Sequence, residues 1–280
     1  MSDIFRKTFI LIFSCMITVS CADDLVTCNS YILGFYDYDE IGANSEYVDI
    51  EGIRYARVNI YIPKAHMVTD VFGDRASENG TFRILCERFN DTEYEERHLN
   101  PKINKGNTHL ACYPSIEISR ISVKGETDWD VSHPRGTSLD DIVLFEGVSI
   151  YPYIKNHYVG FDYKNAALSD CFNHAFTQNK TFNRNEFYPI DKPLAELSQE
   201  NMLLLGAGEM SEPGGVGYPE HDMLYYTPDV HKEIDRNSWE CNMFTLFIPV
   251  EHTGDNSLTV SIKYNDGKEL STTVTVSDQI

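Results

Sequence analysis

Apolar and polar residues alternate over long stretches of this 280-residue chain, and that period of two is the feature that most restricts its fold. Residues 52–62 alternate and end at a proline, and residues 116–123 alternate with one slip in phase. Residues 142–145 and 244–250 are apolar runs typical of buried strands. Shorter strand candidates lie at 31–35, 82–86, 202–205 and 223–226. The pattern predicts a mainly β protein, an antiparallel β-sandwich built as one large or two smaller sandwiches.

The C-terminal residues carry a second alternating pattern, on both sides of a turn sequence. The apolar face is formed by Leu258, Val260, Ile262, Tyr264, Leu270, Thr272, Val274 and Val276. A three-residue loop at 265–267 pairs Ile262 with Leu270 and keeps that face apolar, whereas a two-residue loop would pair apolar with polar positions. The sequence therefore predicts a C-terminal β-hairpin with Gly267 at the position that needs a positive φ.

Helical signal is limited to two short segments. Residues 164–176 repeat apolar side chains at a spacing of three to four, which predicts a short helix. Residues 191–198 read as one or two further turns, with Asp191 as a candidate cap.

Turn residues near 125–140 interrupt the strands and suggest a domain boundary. The predicted units are a β-rich N-terminal domain at 23–125 and a β-rich C-terminal domain at 140–280. The second unit contains the 164–176 helix and a long loop near 206–219. A single domain is the alternative.

Residues 1–22 have the composition of a secretory signal peptide. Arg6 and Lys7 precede an apolar run, and small residues follow it, so cleavage is expected after Ser20 or Ala22. The apolar run is too short to anchor a protein permanently in a membrane. No other run of about twenty apolar residues follows, so no transmembrane segment is expected. The sequence thus predicts a secreted, extracellular protein.

An excess of acidic residues gives the chain a formal net charge of -20. Such a field repels nucleic acid, which excludes DNA or RNA as a partner, and it attracts cations or basic proteins. Solubility alone explains the same excess without any ligand.

Seven cysteines are present, and Cys15 leaves with the signal peptide, whereas retention of Cys21 depends on the cleavage site. An oxidising compartment predicts at least two disulfides, but spacing does not choose among the pairings. No Cys-x-x-Cys spacing occurs, which disfavours thioredoxin-like chemistry and cysteine zinc sites. The disulfide candidates are Cys28, Cys86, Cys112, Cys171 and Cys241.

Two kinds of modification are expected on an exported chain. Asn-x-Thr sequons predict N-glycosylation at Asn79, Asn90 and Asn179. Acidic residues surround three tyrosines that are candidates for sulfation, which would add charge for a basic partner, namely Tyr36, Tyr38 and Tyr47. An edge strand with solvated acids is the alternative explanation of that acidic segment.

Catalytic and metal-binding motifs are weak. Histidines and carboxylates lie together at His221, Asp222, His231 and Glu233, but no His-Glu-x-x-His motif is present. Gly-x-Ser-x-Gly is also absent. Residues 70–74 and 254–256 offer oxygen ligands without the spacing of an EF-hand, so calcium is a candidate and no other cofactor is expected.

These observations favour a secreted, acidic, disulfide-bonded glycoprotein that acts as a non-catalytic extracellular binding protein. Its expected partner is an extracellular protein, for which the acidic charge suits a basic surface, or a glycan. Two alternatives stay open, a secreted hydrolase with a site built from loops and a structural matrix or coat protein. A concave site with convergent polar side chains would distinguish them.

Overall fold

The computed structural model describes residues 25–50, 52–72, 80–99, 110–158, 188–205, 208–210, 238–251 and 254–277. The strands are β1 (Val26–Cys28), β2 (Gly34–Tyr38), β3 (Gly42–Ile50), β4 (Ile53–Asp70), β5 (Arg97–Leu99), β6 (Leu110–Pro114), β7 (Ile118–Gly125), β8 (Leu144–Ser149), β9 (Tyr188–Pro193), β10 (Gly208–Met210), β11 (Ser238–Pro249), β12 (Asn256–Tyr264) and β13 (Glu269–Val276). Two helices, α1 (Thr81–Arg88) and α2 (Tyr151–Lys155), and two 3₁₀ turns (Leu194–Glu196 and Gln199–Met202) complete the described elements. The protein is mainly β, as the alternating pattern predicts.

Three sheets contain these strands. The large sheet has the order β10-β6-β2-β4-β11-β8-β9, and β3 pairs with β4 beside that path. It is mixed, because β2 runs parallel to β6 while its other pairs are antiparallel. The small sheet has the order β13-β12-β7, and β1 pairs with β5 alone.

Strand β4 is the centre of the large sheet. Its alternate residues Ala56, Val58, Ile60 and Ile62 are fully buried, because a strand points successive side chains to opposite faces. It pairs with β2 and β3 on one side and with β11 on the other. Each apolar side chain that this face removes from water contributes roughly 1.5–3 kcal/mol.

The small sheet packs on the same core. Leu258, Val260 and Ile262 are fully buried and belong to one cluster with the apolar face of β4. In the β12–β13 ladder Ile262 lies opposite Leu270, and Gly267 between the two strands has φ +90°. The loop closes with a hydrogen bond from the Tyr264 amide to the Lys268 carbonyl.

The segment at 125–140 does not interrupt this core. The Gly125 amide donates to the Thr137 carbonyl, and the Trp129 indole donates to the Pro249 carbonyl at 2.8 Å. Strands from both predicted halves also lie side by side, because β4 pairs with β11. Strands from before and after residues 125–140 thus share one sheet, and the division into domains at 23–125 and 140–280 or a single domain stays a prediction.

Three local predictions differ from the structure. Residues 82–86, predicted as a strand, lie in α1, since Phe82, Leu85 and Cys86 are buried at helical spacing rather than at a period of two. Residues 202–205 follow a 3₁₀ turn that Ser198 caps. Asp191 is not a helix cap, because it lies in β9.

Three other predicted elements fall outside the described residues. They are the 164–176 helix, the strand candidate at 223–226, and the 206–219 loop except for Gly208–Met210, which forms β10.

Candidate functional site

The face of the large sheet opposite the core carries polar side chains in register across four strands. Because residues alternate in a strand, the neighbours of buried Val58, Ile60 and Leu246 point away from the core. We call the resulting set the outer polar face. Its members are Asn44 and Glu46 of β3, Arg57 and Asn59 of β4, Thr245 of β11 and Glu146 of β8.

One rung of this face runs across all four strands. Asn44 lies opposite Asn59, Asn59 opposite Thr245, and Thr245 opposite Glu146. The Asn59 amide nitrogen donates to the Asn44 Oδ1 at 2.9 Å, and the Thr245 hydroxyl donates to the Asn59 Oδ1 at 2.9 Å. These bonds hold three polar groups in one line and fix the Asn59 amide plane.

Arg57 lies in the next rung, which is polar only on β3 and β4, because Arg57 is opposite Glu46 on one side and Phe247 on the other. Its guanidinium bonds to Glu46, and the charge of Glu146 acts on it from the other side. Burial lowers the pKa of Arg57, and the Glu146 charge partly offsets that effect. The Arg57 Nε is buried and has no hydrogen-bond partner in the described part of the chain.

Aromatic rings flank the two rungs along β4, with Tyr61 beyond Asn59 and Tyr55 beyond Arg57. The Tyr61 ring lies over Gly42, where a Cβ would come within 2.4 Å of the ring, so only glycine fits beneath it. Tyr55 lies at the other end and packs edge-on against Phe247, with ring centroids 6.4 Å apart. Both tyrosines are half-buried. Planar polar groups between two tyrosines form a surface that can hydrogen-bond and stack against the same ligand.

A second cluster surrounds the buried carboxylate of Asp91. Its Oδ1 accepts from the Tyr31 amide and from the Tyr158 hydroxyl, and its Oδ2 accepts from the Ile32 amide. Burial raises the pKa of Asp91, while these hydrogen bonds and the charge of Arg97 lower it. Both carboxylate oxygens have partners inside the protein, so the cluster holds three chain segments together rather than presenting a site to ligand.

The third cluster is centred on His133, which is 9% exposed. Its Nδ1 lies 2.8 Å from Asp130 and its Nε2 lies 3.2 Å from Asp141. The hydrogen bond to Asp130 is the main cause that raises the pKa of His133. Because both ring nitrogens contact carboxylates, neither is available to take a proton from a nucleophile.

The three candidate sulfation sites are part of the packed structure. Tyr36 and Tyr38 are 0% and 1% exposed, and the Tyr38 hydroxyl accepts a hydrogen bond from Tyr264. Tyr47 is half-buried and its hydroxyl donates to the Gly254 carbonyl at 2.6 Å. A sulfate on Tyr36 or Tyr38 would be buried without water, which the folded state disfavours.

The glycosylation and metal candidates are only partly placed. Asn90 is exposed at the end of α1 with φ +59°, whereas Asn79 and Asn179 lie outside the described residues. Asp70 accepts from the Phe72 amide, and Asn256 is buried in β12 rather than in a loop. The 221–233 segment also lies outside the description, and the described residues hold no group of three metal-ligating side chains.

The structure also describes only some of the cysteines. Cys28, Cys86 and Cys112 are buried, and the structure joins no two of these three by a disulfide. Cys171 and the Cys241 side chain lie outside the description.

No protein-family model, no curated protein and no solved structure matches the chain. Among the described residues no helix has both the length and the apolarity that a membrane crossing requires.

Sequence analysis did not single out the outer polar face, although β4 carries a signal for it. Tyr55, Arg57, Asn59 and Tyr61 occupy every second position of the most regular strand. A strand face that is merely exposed to solvent does not need an arginine and an asparagine between two tyrosines, so this pattern indicates a candidate binding surface. Glu146 and Thr245 could not be added from the sequence, because they come from strands placed by long-range pairing, whereas Glu46 lies 11 residues from Arg57 on the neighbouring strand β3.

Proposed function

We propose that this protein is a secreted, non-catalytic extracellular binding protein whose outer polar face binds a glycan. The fold we infer for it is a β-sandwich in which the large and small sheets enclose the core. The observation that carries the proposal is the polar rung from Asn44 to Glu146 with the Glu46–Arg57 ion pair beside it, flanked along β4 by Tyr55 and Tyr61.

The chemistry of these side chains suits a sugar. Each sugar hydroxyl both donates and accepts, and the face offers amide, guanidinium, carboxylate and hydroxyl groups at neighbouring positions. Arg57 and Asn59 present flat groups that can contact two adjacent hydroxyls at once. The rungs are about 6.8 Å apart and the strands about 4.8 Å apart, which gives a platform larger than a single polar contact. The tyrosine rings can stack on the apolar faces of a sugar ring.

Binding is favoured over hydrolysis by the same contacts. Glycoside hydrolysis needs one carboxyl group that carries a proton and can donate it. Arg57 bonds to Glu46 and acts electrostatically on Glu146, and a nearby cation favours the charged form of a carboxylate. Neither glutamate is therefore poised as a general acid.

The charge and apolar pattern of residues 1–22 supports an extracellular role. We infer that these residues are a cleaved leader, so the mature chain would begin at Cys21 or Asp23. We also infer that Asn90 is glycosylated, since this residue is exposed beyond the end of α1. N-terminal sequencing of secreted material, with and without glycosidase treatment, checks both points. An intact Met1 on protein retained in the cytosol would contradict export.

The test of binding is a screen of the purified secreted chain against immobilised glycans, followed by titration with the best ligand. We expect Arg57→Ala and Asn59→Ala each to weaken binding at least about tenfold, which corresponds to about 1.4 kcal/mol. Arg120→Ala is the matched control, because Arg120 is 69% exposed on the small sheet and should leave binding unchanged.

Two results would contradict the proposal. One is a chain that folds and binds no glycan on the array, and the other is a ligand whose affinity is equal in Arg57→Ala and in the wild type. Release of new reducing ends from a bound glycan would establish the hydrolase alternative instead. Circular dichroism of each variant shows that a loss of binding is not a loss of folding.

A further inference from the structure

The N-terminal strand crosses the end of α1. After β1, the Asn29 carbonyl accepts from the Tyr94 amide at 2.8 Å, and the Tyr31 amide donates to the Asp91 carboxylate at 2.9 Å. The Asp91 amide in turn donates to the Cys86 carbonyl at 2.8 Å. Residues 28–32 are therefore fixed beside the last turn of α1 by a short chain of hydrogen bonds.

Two cysteines lie in this contact. Cys28 ends β1 and Cys86 lies in the last turn of α1, and they are 9% and 4% exposed within one buried cluster. Burial raises the pKa of the Cys86 thiol, the charge of Asp91 adds to that effect, and Cys28 raises it further. The Ser30 side chain, two residues from Cys28, lies near enough to the Cys86 thiol to lower its pKa.

Cys112, the other cysteine whose side chain is described, lies in a different part of the fold. It belongs to β6, opposite Gly34 of β2 in the large sheet. Its Sγ lies 2.9 Å from where a Cβ on Gly34 would be, so it packs against the backbone of that strand.

We propose that Cys28 and Cys86 form a disulfide in the exported protein and join the N-terminal strand to α1. The reaction is thiol–disulfide exchange with an external disulfide, from an oxidoreductase or an oxidised small thiol. The two thiols lose two protons and two electrons and form one S–S bond, while the external disulfide gains them and becomes two thiols. The bridge depends on export and does not depend on the ligand of the outer polar face.

Burial determines when the bridge must form. Exchange proceeds through a thiolate, and in the folded chain the raised pKa of Cys86 keeps that group protonated. Oxidation therefore precedes closure of β1 over α1. Once formed, the bond is out of reach of reductants that do not unfold the protein, so its detection requires denaturation.

The test is disulfide mapping of the full chain secreted from eukaryotic cells. The protein is denatured with an alkylating reagent and without reductant, digested, and analysed by mass spectrometry. We expect a linked pair of peptides that contain Cys28 and Cys86 and that separate on reduction. Alkylated Cys28 or Cys86 in secreted, folded protein would overturn the proposal, as would a link from either residue to Cys112, Cys171 or Cys241.

Variants give an independent measurement. A bridge predicts that Cys28→Ser, Cys86→Ser and the double variant lower the denaturation midpoint by the same amount, because each removes the same bond. A bridge also predicts that a reductant lowers the denaturation midpoint of the wild type, and that it lowers the midpoint of the double variant by less. Additive losses from the two single variants would contradict a shared bond. Cys112→Ser is the control, and its digest should still contain the linked peptides.

Discussion

The hydroxyl of Tyr264 donates a hydrogen bond to the hydroxyl of Tyr38 at 3.0 Å, and this bond joins the small sheet to the large sheet. The two rings meet edge to face, with centroids 5.9 Å apart, and each is 1% exposed. Burial raises the pKa of Tyr264, so the hydroxyl keeps its proton and stays a donor at physiological pH. The contact satisfies a polar group inside the interface between the sheets.

This bond should be measurable as a coupling energy. Tyr264→Phe removes the donor, Tyr38→Phe removes the acceptor, and the double variant removes both. We expect the sum of the two single-variant losses in the free energy of unfolding to exceed the loss in the double variant by about 0.5–1.5 kcal/mol. Urea denaturation of the four proteins provides the numbers. Strictly additive losses would show that the two hydroxyls do not interact in solution.

Burial on β12 predicts opposite outcomes at two adjacent positions. Ile262 is fully buried and Lys263 is exposed. Ile262→Ala should lower the free energy of unfolding by about 2–5 kcal/mol, through lost burial and a residual cavity. Lys263→Ala should change it by less than about 0.5 kcal/mol. Chemical denaturation tests the register of this strand. If Lys263→Ala lowered the free energy of unfolding and Ile262→Ala did not, the register would be wrong by one residue.

The His133 cluster predicts a pH dependence of stability. The pKa of His133 is raised in the folded protein, so its contribution is fully present below the unfolded value of about 6.5 and is lost as pH rises through the folded value. Stability at pH 6 should therefore exceed stability at pH 8.5, and His133→Gln should reduce the difference.

The control for that measurement is His98→Gln. The His98 side chain is 56% exposed and lies near Glu96 rather than in a closed cluster. Its replacement should leave the pH dependence close to that of the wild type. If His133→Gln and the wild type lose the same stability between the two pH values, the cluster does not hold a charged imidazole.

Asp91 predicts a large stability loss from a small change. In Asp91→Asn one carboxylate oxygen becomes an amide NH₂, which cannot accept from the Tyr31 or Ile32 amide that it faces. An unpaired buried donor costs about 1–3 kcal/mol, and loss of the charged acceptor adds to it. We expect a total loss of about 2–5 kcal/mol in the free energy of unfolding. Glu95→Gln, at an exposed position, should lose less than about 0.5 kcal/mol, and equal losses would contradict the role of Asp91.

The local structure of this chain can be predicted from its sequence where the apolar residues follow a single spacing. Residues 53–62 alternate and lie in β4, although the strand continues through Pro63 to Asp70 rather than ending at the proline as predicted. The pairing of Ile262 with Leu270 follows from keeping one face apolar around Gly267. Prediction fails at 82–86, where a short apolar run fits either period, and neighbouring Phe89 completes a helical spacing.

The outer polar face depends on information that no local window contains. Arg57 and Asn59 share a face of β4 by alternation alone, and that much can be read from the sequence. Glu46 is placed by the β3–β4 ladder, while Thr245 and Glu146 are placed by pairs between distant strands. The predicted sites were chosen from local chemistry, and the acidic residues around Tyr36 and Tyr38 gave no sign that both side chains are buried in β2.

The pairing of β4 with β11 cannot form during synthesis until both strands have been made. Asn59 and Thr245 are hydrogen-bonded neighbours that lie 186 residues apart in sequence. Contacts of such separation form slowly, because closing a long loop costs entropy before the strand pair stabilises it. At about 5–20 residues per second, β4 emerges well before β11 and waits with one edge unpaired. An unpaired edge of that length can recruit other chains, so the nascent protein should depend on chaperone binding until its C-terminal strands emerge.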